Sequence, residues 1–195
     1  ERPKTARDKQ ADAAVGQGEL MHLYNKFFSE YGHIVAQILL TKDVVEEENK
    51  RSNVINTFES LLHKGILPIV NENDTVATDE IEFGDNDSLS ALVATLIHAD
   101  LLILLSDIDG LYDADPKKNP KAKLISQVDT IDDEILSKAG GAGSSRGTGG
   151  MATKLKAAQI ANAAHIDMVI ALGAQPEIVT DILQGKDIGT LFIAQ

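Results

Sequence analysis

The residues best suited to chemistry lie in the stretch GTGGMATK, Gly147 to Lys154. Glycine has no Cβ, so Gly147, Gly149 and Gly150 let backbone N–H groups come close to a phosphate, and the run from Thr153 to His165 reads as a helix beginning there. Lys154 falls in the first turn of that helix, where its ammonium reaches an anion that the amides and the positive helix end already favour. The spacing is not that of a Walker motif. The run Gly140 to Gly150 is also low in complexity, and the same composition fits a Gly/Ser loop without chemistry. Two more polar stretches follow apolar runs. NENDTVATDEIEFGDND, Asn71 to Asp87, lies where open α/β sheets bind ligands. GLYDADPKKNP follows Ser106 and Asp107 and is rich in turn residues, which also fits a plain surface hairpin.

Positioning these stretches needs strands and helices in alternation. Thr5 to Tyr31 has helical spacing, with Ala14, Leu20, Leu23, Tyr24, Phe27 and Phe28 forming an apolar stripe suited to a core or a subunit contact. His33 to Leu40 reads as a buried strand. Asp43 to Lys64 reads as a helix that Thr41 caps and Gly65 stops, with Glu46, Glu47 and Glu48 complementing its macrodipole. Strands follow at Ile66 to Val70, Leu101 to Leu105, Met168 to Ala171 and Thr190 to Ile193. Helices are expected at Ser88 to His98, Ile131 to Lys138 and Gln175 to Leu183, besides the one after the glycines. Such alternation predicts a mostly parallel sheet covered on both faces, in one domain without internal repeats.

Composition excludes several function classes. With 195 residues, 43% hydrophobic and 25% charged, the chain can bury one α/β core. A net charge of −12 argues against nonspecific nucleic-acid binding, and it requires lysines, amides and metal to be concentrated wherever a polyanion binds. Without cysteine there is no thiolate metal site, disulfide or thiol nucleophile. The five histidines lack i, i+4 pairing and read as structural or surface groups. No apolar run spans a membrane and no signal peptide opens the chain, so the expected compartment is the cytoplasm.

NEND with GDND after one strand, SDIDGLYDADP after the next and GTGGMATK before a helix together resemble the amino-acid kinase superfamily. The closest likeness is to its branch that phosphorylates glutamate in proline biosynthesis, from KQADAAVGQ at Lys9 to GTLF at Gly189. The resemblance implies a three-layer αβα sandwich with a mostly parallel central sheet. It also implies transfer of the ATP γ-phosphoryl group to the side-chain carboxylate of L-glutamate, giving glutamyl 5-phosphate and ADP. Residue by residue, it assigns Asp74 and Asn86 to glutamate binding, with Asn71 and Asp85 nearby. Ser106 and Asp107 fall to the nucleotide, and Thr148, Gly149, Gly150, Met151, Ala152, Thr153 and Lys154 to its phosphates. Asp87 becomes the carboxylate that orients the catalytic lysines, and GLYDADPKKNP is expected at the adenosine half of ATP. Mg²⁺ carried on the nucleotide phosphates, proline as feedback inhibitor and a homo-oligomer, dimer or tetramer, are implied as well, with neither nucleic acid nor membrane as partner.

Two features of the family pattern are missing: an opening strand with a V-K-x-G-[ST]-S turn, which carries a second phosphate-binding lysine, and a later S-G-A turn. The chain therefore reads as a kinase domain, residues 1–195, short of its first strands and without the C-terminal PUA domain of many members. Two alternatives stay open: a superfamily relative acting on another small acid or a nucleoside monophosphate, and a non-catalytic amino-acid-binding fragment. The chemistry itself fits the residues. A glutamate carboxylate is already ionised at neutral pH and attacks phosphorus without a general base, so positioning and charge stabilisation carry the reaction. Asp74 and Asp85 suit the substrate ammonium, whereas Asp79, Glu80 and Glu82 read as a solvated loop.

Overall fold

The computed structural model describes residues 5–76, 85–116, 118–138 and 150–195. They form two compact units, residues 1–83 and 84–195.

The first unit opens on α1 (Ala6–Ser29), where the Thr5 hydroxyl accepts from the Asp8 N–H at 3.1 Å as an N-cap. The helix runs unbroken through Gly16 and Gly18, but none of its residues is buried; Val15 is 71% and Phe27 55% exposed. Its apolar stripe thus fills no core in this chain. Strands β1 (Val35–Leu40) and β2 (Leu67–Glu72) pair in parallel, with Val35 opposite Leu67. Pro68 removes one N–H from β2, which suits a strand with β1 as its only partner among the described residues.

The helix expected over residues 43–64 is two helices, α2 (Asp43–Glu46) and α3 (Glu48–His63), separated by extended backbone at Glu47. Charge accounts for the break. In one continuous helix Asp43 and Glu47 stack as a like-charged i, i+4 pair. With the break, Lys50 takes both, at 2.5 Å and 2.7 Å. Hydrogen bonds to Asp43 and Glu47 push the Lys50 ammonium up to about 12, and bonds from Lys50 and Thr41 hold Asp43 below the usual carboxylate range. Thr41 therefore bonds the Asp43 carboxylate instead of capping a long helix.

In the second unit α4 (Asn86–Leu96) leads into β3 (Leu101–Ser106). A two-residue strand, β4 (Gln127–Val128), and a short helix, α5 (Asp133–Lys138), come next. Then follow α6 (Met151–Ala163), β5 (Asp167–Leu172), α7 (Ile178–Leu183) and β6 (Thr190–Phe192). The sheet order is β3-β5-β6-β4, parallel except between β5 and β6. Helices α4 and α6 pack through small side chains: Ala91, Ala157, Ala158 and Ala161 are 0% exposed, and alanine lets two backbones approach closely. Met168, Ile170 and Phe192, also fully buried, join the same core. That packing brings the first turn of α4 to the first turn of α6, which is the geometry the site depends on.

His98 and His165, at φ 50° and 58°, hold the left-handed stops after α4 and α6 that glycine usually fills. No helix among the described residues is long and apolar enough to cross a membrane.

Candidate active site

The predicted site residues are divided between the two units. In the first, Asn71, the next-to-last residue of β2, has its side chain engaged: Nδ2 donates to Gln17 Oε1 at 3.0 Å and Oδ1 accepts from the Glu72 N–H at 2.9 Å. Gln17 in turn donates to Gln37 at 3.0 Å, so this row ties α1 to both strands. Asp74 lies exposed beyond the strand end.

In the second unit, Asp85 is the N-cap of α4. One carboxylate oxygen accepts from the Ser88 N–H at 2.7 Å and the other from the Ser88 hydroxyl at 3.0 Å. Asn86 is exposed at the helix start. Asp87, one residue on, turns toward α6. Its Oδ2 accepts from Lys154 Nζ at 3.0 Å and from the Thr153 hydroxyl at 2.7 Å. The two charged side chains are 7% and 18% exposed for Lys154 and Asp87, so the pair is largely withdrawn from water. Burial of Lys154 follows from its place on α6 between the buried residues Met151 and Leu155.

The start of α6 is open. Its N-cap is Gly150, with extended backbone and, among the described residues, no side chain capping the helix; the Thr153 N–H donates to the Gly150 carbonyl at 3.2 Å, and the first turn holds no acid. A helix start without a cap presents free N–H donors and the positive end of the dipole, both suited to an anion. Thr148 and Gly149, like Gly147, Asp79, Glu80 and Glu82, lie outside the described residues.

Beside this helix start is a cleft of about 140 Å³, with Lys154, Met151 and Gly150 on one side and Asp107 to Tyr112 and Ala114 to Pro116 on the other. Ser106 donates to Asp107 at 3.1 Å, and the Ser106 carbonyl accepts from the Gly173 N–H at 2.7 Å. GLYDADPKKNP is the first limb of a hairpin whose Leu111 carbonyl accepts from Ile125 N–H at 2.8 Å. Within it the Tyr112 hydroxyl donates to Asp109 at 2.8 Å; that bond, with burial, raises the phenol above its ordinary range. The hairpin is thus a cleft wall as well as a turn.

Three contributors to the cleft were not singled out from sequence. Lys138, 19% exposed and paired with Glu134 at 2.7 Å, places a second cation in the lining. It ends a short helix beside the low-complexity run, where nothing in its neighbours marks it. Tyr112 and Gly110 lie in GLYDADPKKNP, which was expected at the adenosine half of ATP with no side chain chosen within it. Among the described residues no group of three or more His, Asp or Glu side chains is arranged to hold a metal ion.

A helix start beside a lysine held by a carboxylate, next to a cleft, is an arrangement suited to an anion such as a phosphate. Residues 2–172 match the amino acid kinase family, and the chain belongs to it. Among its relatives, the glutamate 5-kinase of Clostridium perfringens is 60% identical, over 100% of this chain and 74% of its own length. The glutamate 5-kinases of Clostridium acetobutylicum and Listeria welshimeri are 58% and 55% identical, over 99% and 98% of this chain and 72% and 71% of theirs. In structure the chain is similar to the isopentenyl phosphate kinase of T. acidophilum, with a TM-score of 0.63 at 20% identity, over 97% of this chain and 74% of that one. The UMP kinase from Ureaplasma parvum gives 0.56 at 16% identity, over 95% and 67%. At those identities the likeness shows the fold, the α/β fold with a mostly parallel sheet expected for the family.

Proposed function

We propose that the chain transfers the γ-phosphoryl group of ATP to the side-chain carboxylate of L-glutamate, giving L-glutamyl 5-phosphate in proline biosynthesis. The observation that carries this reading is the convergence of Lys154 and Thr153 on one oxygen of Asp87 at the open start of α6, beside the cleft. Glutamate is the acceptor favoured by the relatives at 55–60% identity, whereas the fold alone is shared with kinases named for other substrates.

In this reading the N–H groups of Gly150, Met151 and Ala152, with Thr148 and Gly149 before them, face the phosphates, and Lys154 meets charge that develops on the transferring group. Asp87 keeps the Lys154 ammonium aimed at that position; it is a positioning residue for the lysine. Ser106, Asp107 and the hairpin limb take the nucleoside end of ATP. Asp74 and Asn86, with Asn71 and Asp85, recognise glutamate. Two of these are held in place within their own units, Asn71 by its bonds to Gln17 and Glu72 and Asp85 by its bonds to Ser88. Mg²⁺ arrives on the nucleotide phosphates and offsets their charge in a protein of net −12. A homo-oligomer, feedback by proline and a cytoplasmic setting belong to the same proposal.

The test is turnover of Lys154→Ala in a coupled ADP-release assay with glutamate, aspartate, acetylglutamate, carbamate and UMP as acceptors. Glutamate is expected to be the preferred acceptor, and the variant to lose about 10²- to 10³-fold in rate while still folding. Near-normal turnover of the variant, or preference for another acceptor, contradicts the assignment.

A further inference from the structure

The cleft wall formed by residues 107–116 has to stay in place for a nucleotide to bind against it, yet residues 111–125 form a projecting hairpin whose turn carries two prolines and several lysines. Besides the direct bond from the Ile125 N–H to the Leu111 carbonyl, its base is held by a residue from far along the chain. Thr190, the first residue of β6, is 0% exposed. Its hydroxyl accepts from the Leu111 N–H at 2.8 Å and donates to the Ile125 carbonyl at 2.6 Å. Leu111 is the start of the outgoing limb and Ile125 the end of the returning one, so a single hydroxyl spans both limbs at the root of the hairpin.

The surroundings allow little else at this point. Gly110, at φ +153°, passes so close that a Cβ on it meets Thr190 Oγ1 at 2.6 Å. Gly189, at φ +76°, lies against β5, where a Cβ meets the Ile170 carbonyl oxygen at 2.1 Å. Both positions demand glycine on steric and conformational grounds. Gly189 presses the chain onto β5 and thereby sets the height of Thr190; Gly110 makes the space its hydroxyl occupies. Immediately beyond, Asp109 and Tyr112 line the cleft and bond each other at 2.8 Å.

We propose that Thr190 is a positioning residue for the nucleotide side of the site: its hydroxyl staples the hairpin that forms the cleft wall and so sets affinity for ATP, without touching the nucleotide. The inference rests on the kinase reading above. Removing the hydroxyl takes the partner from a buried N–H and a partly buried C=O, which leaves the bond between Ile125 N–H and the Leu111 carbonyl to hold the root and loosens the wall above it.

The experiment measures direct ATP binding by calorimetry and steady-state kinetics on the intact protein, Thr190→Val and Thr190→Ser, with melting curves to follow folding. Thr190→Val, close to isosteric, is expected to weaken ATP binding and raise KM for ATP by about tenfold or more. The KM for glutamate and the kcat at saturating ATP stay within about twofold. Thr190→Ser, which keeps the hydroxyl, restores ATP affinity. If Thr190→Val does not fold, Thr190→Ala, which also lacks the hydroxyl and adds no bulk, is expected to show the same selective rise. Unchanged ATP affinity in a folded Thr190→Val overturns the staple alone, as does an equal loss in all three kinetic constants or a serine variant no better than valine. Absence of ATP binding by the unsubstituted protein overturns the kinase reading and the staple with it.

Discussion

Helices α4 and α6 of the second unit start in opposite ways. At α4 the chain satisfies its own helix: Asp85 caps the Ser88 N–H, and Asp87 adds an anion to the positive end of the dipole. At α6 a glycine stands where a capping side chain belongs, and the first turn carries a lysine. A cation at a helix N-terminus is unfavourable for stability, as is burying it. Asp87 offsets both costs by reaching across from α4. The first arrangement is what stability alone selects; the second departs from it at each position, and such local departures mark functional sites. The difference between the two helix starts therefore supports the proposal that the start of α6 takes the phosphates.

Closing the open start tests this comparison most strongly. Gly150→Asp supplies α6 with the cap that α4 already has, at a backbone conformation any residue adopts. It is expected to raise KM for ATP by about tenfold or more, by putting a carboxylate where the phosphates belong, and to gain about a few tenths of a kcal/mol in stability. A variant that is stabilised but keeps normal ATP kinetics means the open end has no anion to serve. The α4 start gives a smaller effect. Asp85→Ala costs about 1 kcal/mol by chemical denaturation, through loss of the cap. Asp85→Asn keeps an acceptor for Ser88 while removing the charge, so a raised KM for glutamate in that variant separates recognition of the ammonium from capping; an unchanged KM leaves Asp85 as a cap only.

The smallest effect is a titration. The hydrogen bond to Asp109, with burial, raises Tyr112, so its contribution to stability is complete below the ordinary tyrosine range near 10 and is lost as pH rises through the higher folded value. Ultraviolet titration is expected to show Tyr112 ionising above the ordinary tyrosine range, and Asp109→Asn to lower it toward that range. A Tyr112 that ionises within the ordinary range contradicts the bond.

Much of this was legible in the sequence because it is local. The apolar runs that become β1, β2, β3 and β5 are rich in Ile, Val and Leu, and GTGGMATK announces a glycine-led helix, although α6 starts at Met151 and α4 at Asn86, each two residues before the pattern suggested. Asp87 was paired with the lysine through family resemblance; geometry gives the reason, a separation of 67 residues closed by alanine packing between helices. What periodicity could not supply depends on long-range contacts. Strand β4 is two residues long, with no apolar run to reveal it, and exists because β6 pairs with it. The break at Glu47 is a contest of charges within a helical pattern. Thr190 looks like any strand threonine until Leu111, 79 residues away, is placed against it.

The central claim is that Asp87 acts through Lys154, and a double-mutant cycle in kcat measures it directly. Asp87→Ala and Lys154→Ala are each expected to lose about 10²- to 10³-fold with glutamate and ATP saturating, and the double variant to be no slower than the worse single one by more than about threefold, because the two side chains work as a unit. Losses that multiply in the double variant, or a Lys154→Ala enzyme of normal turnover, contradict it.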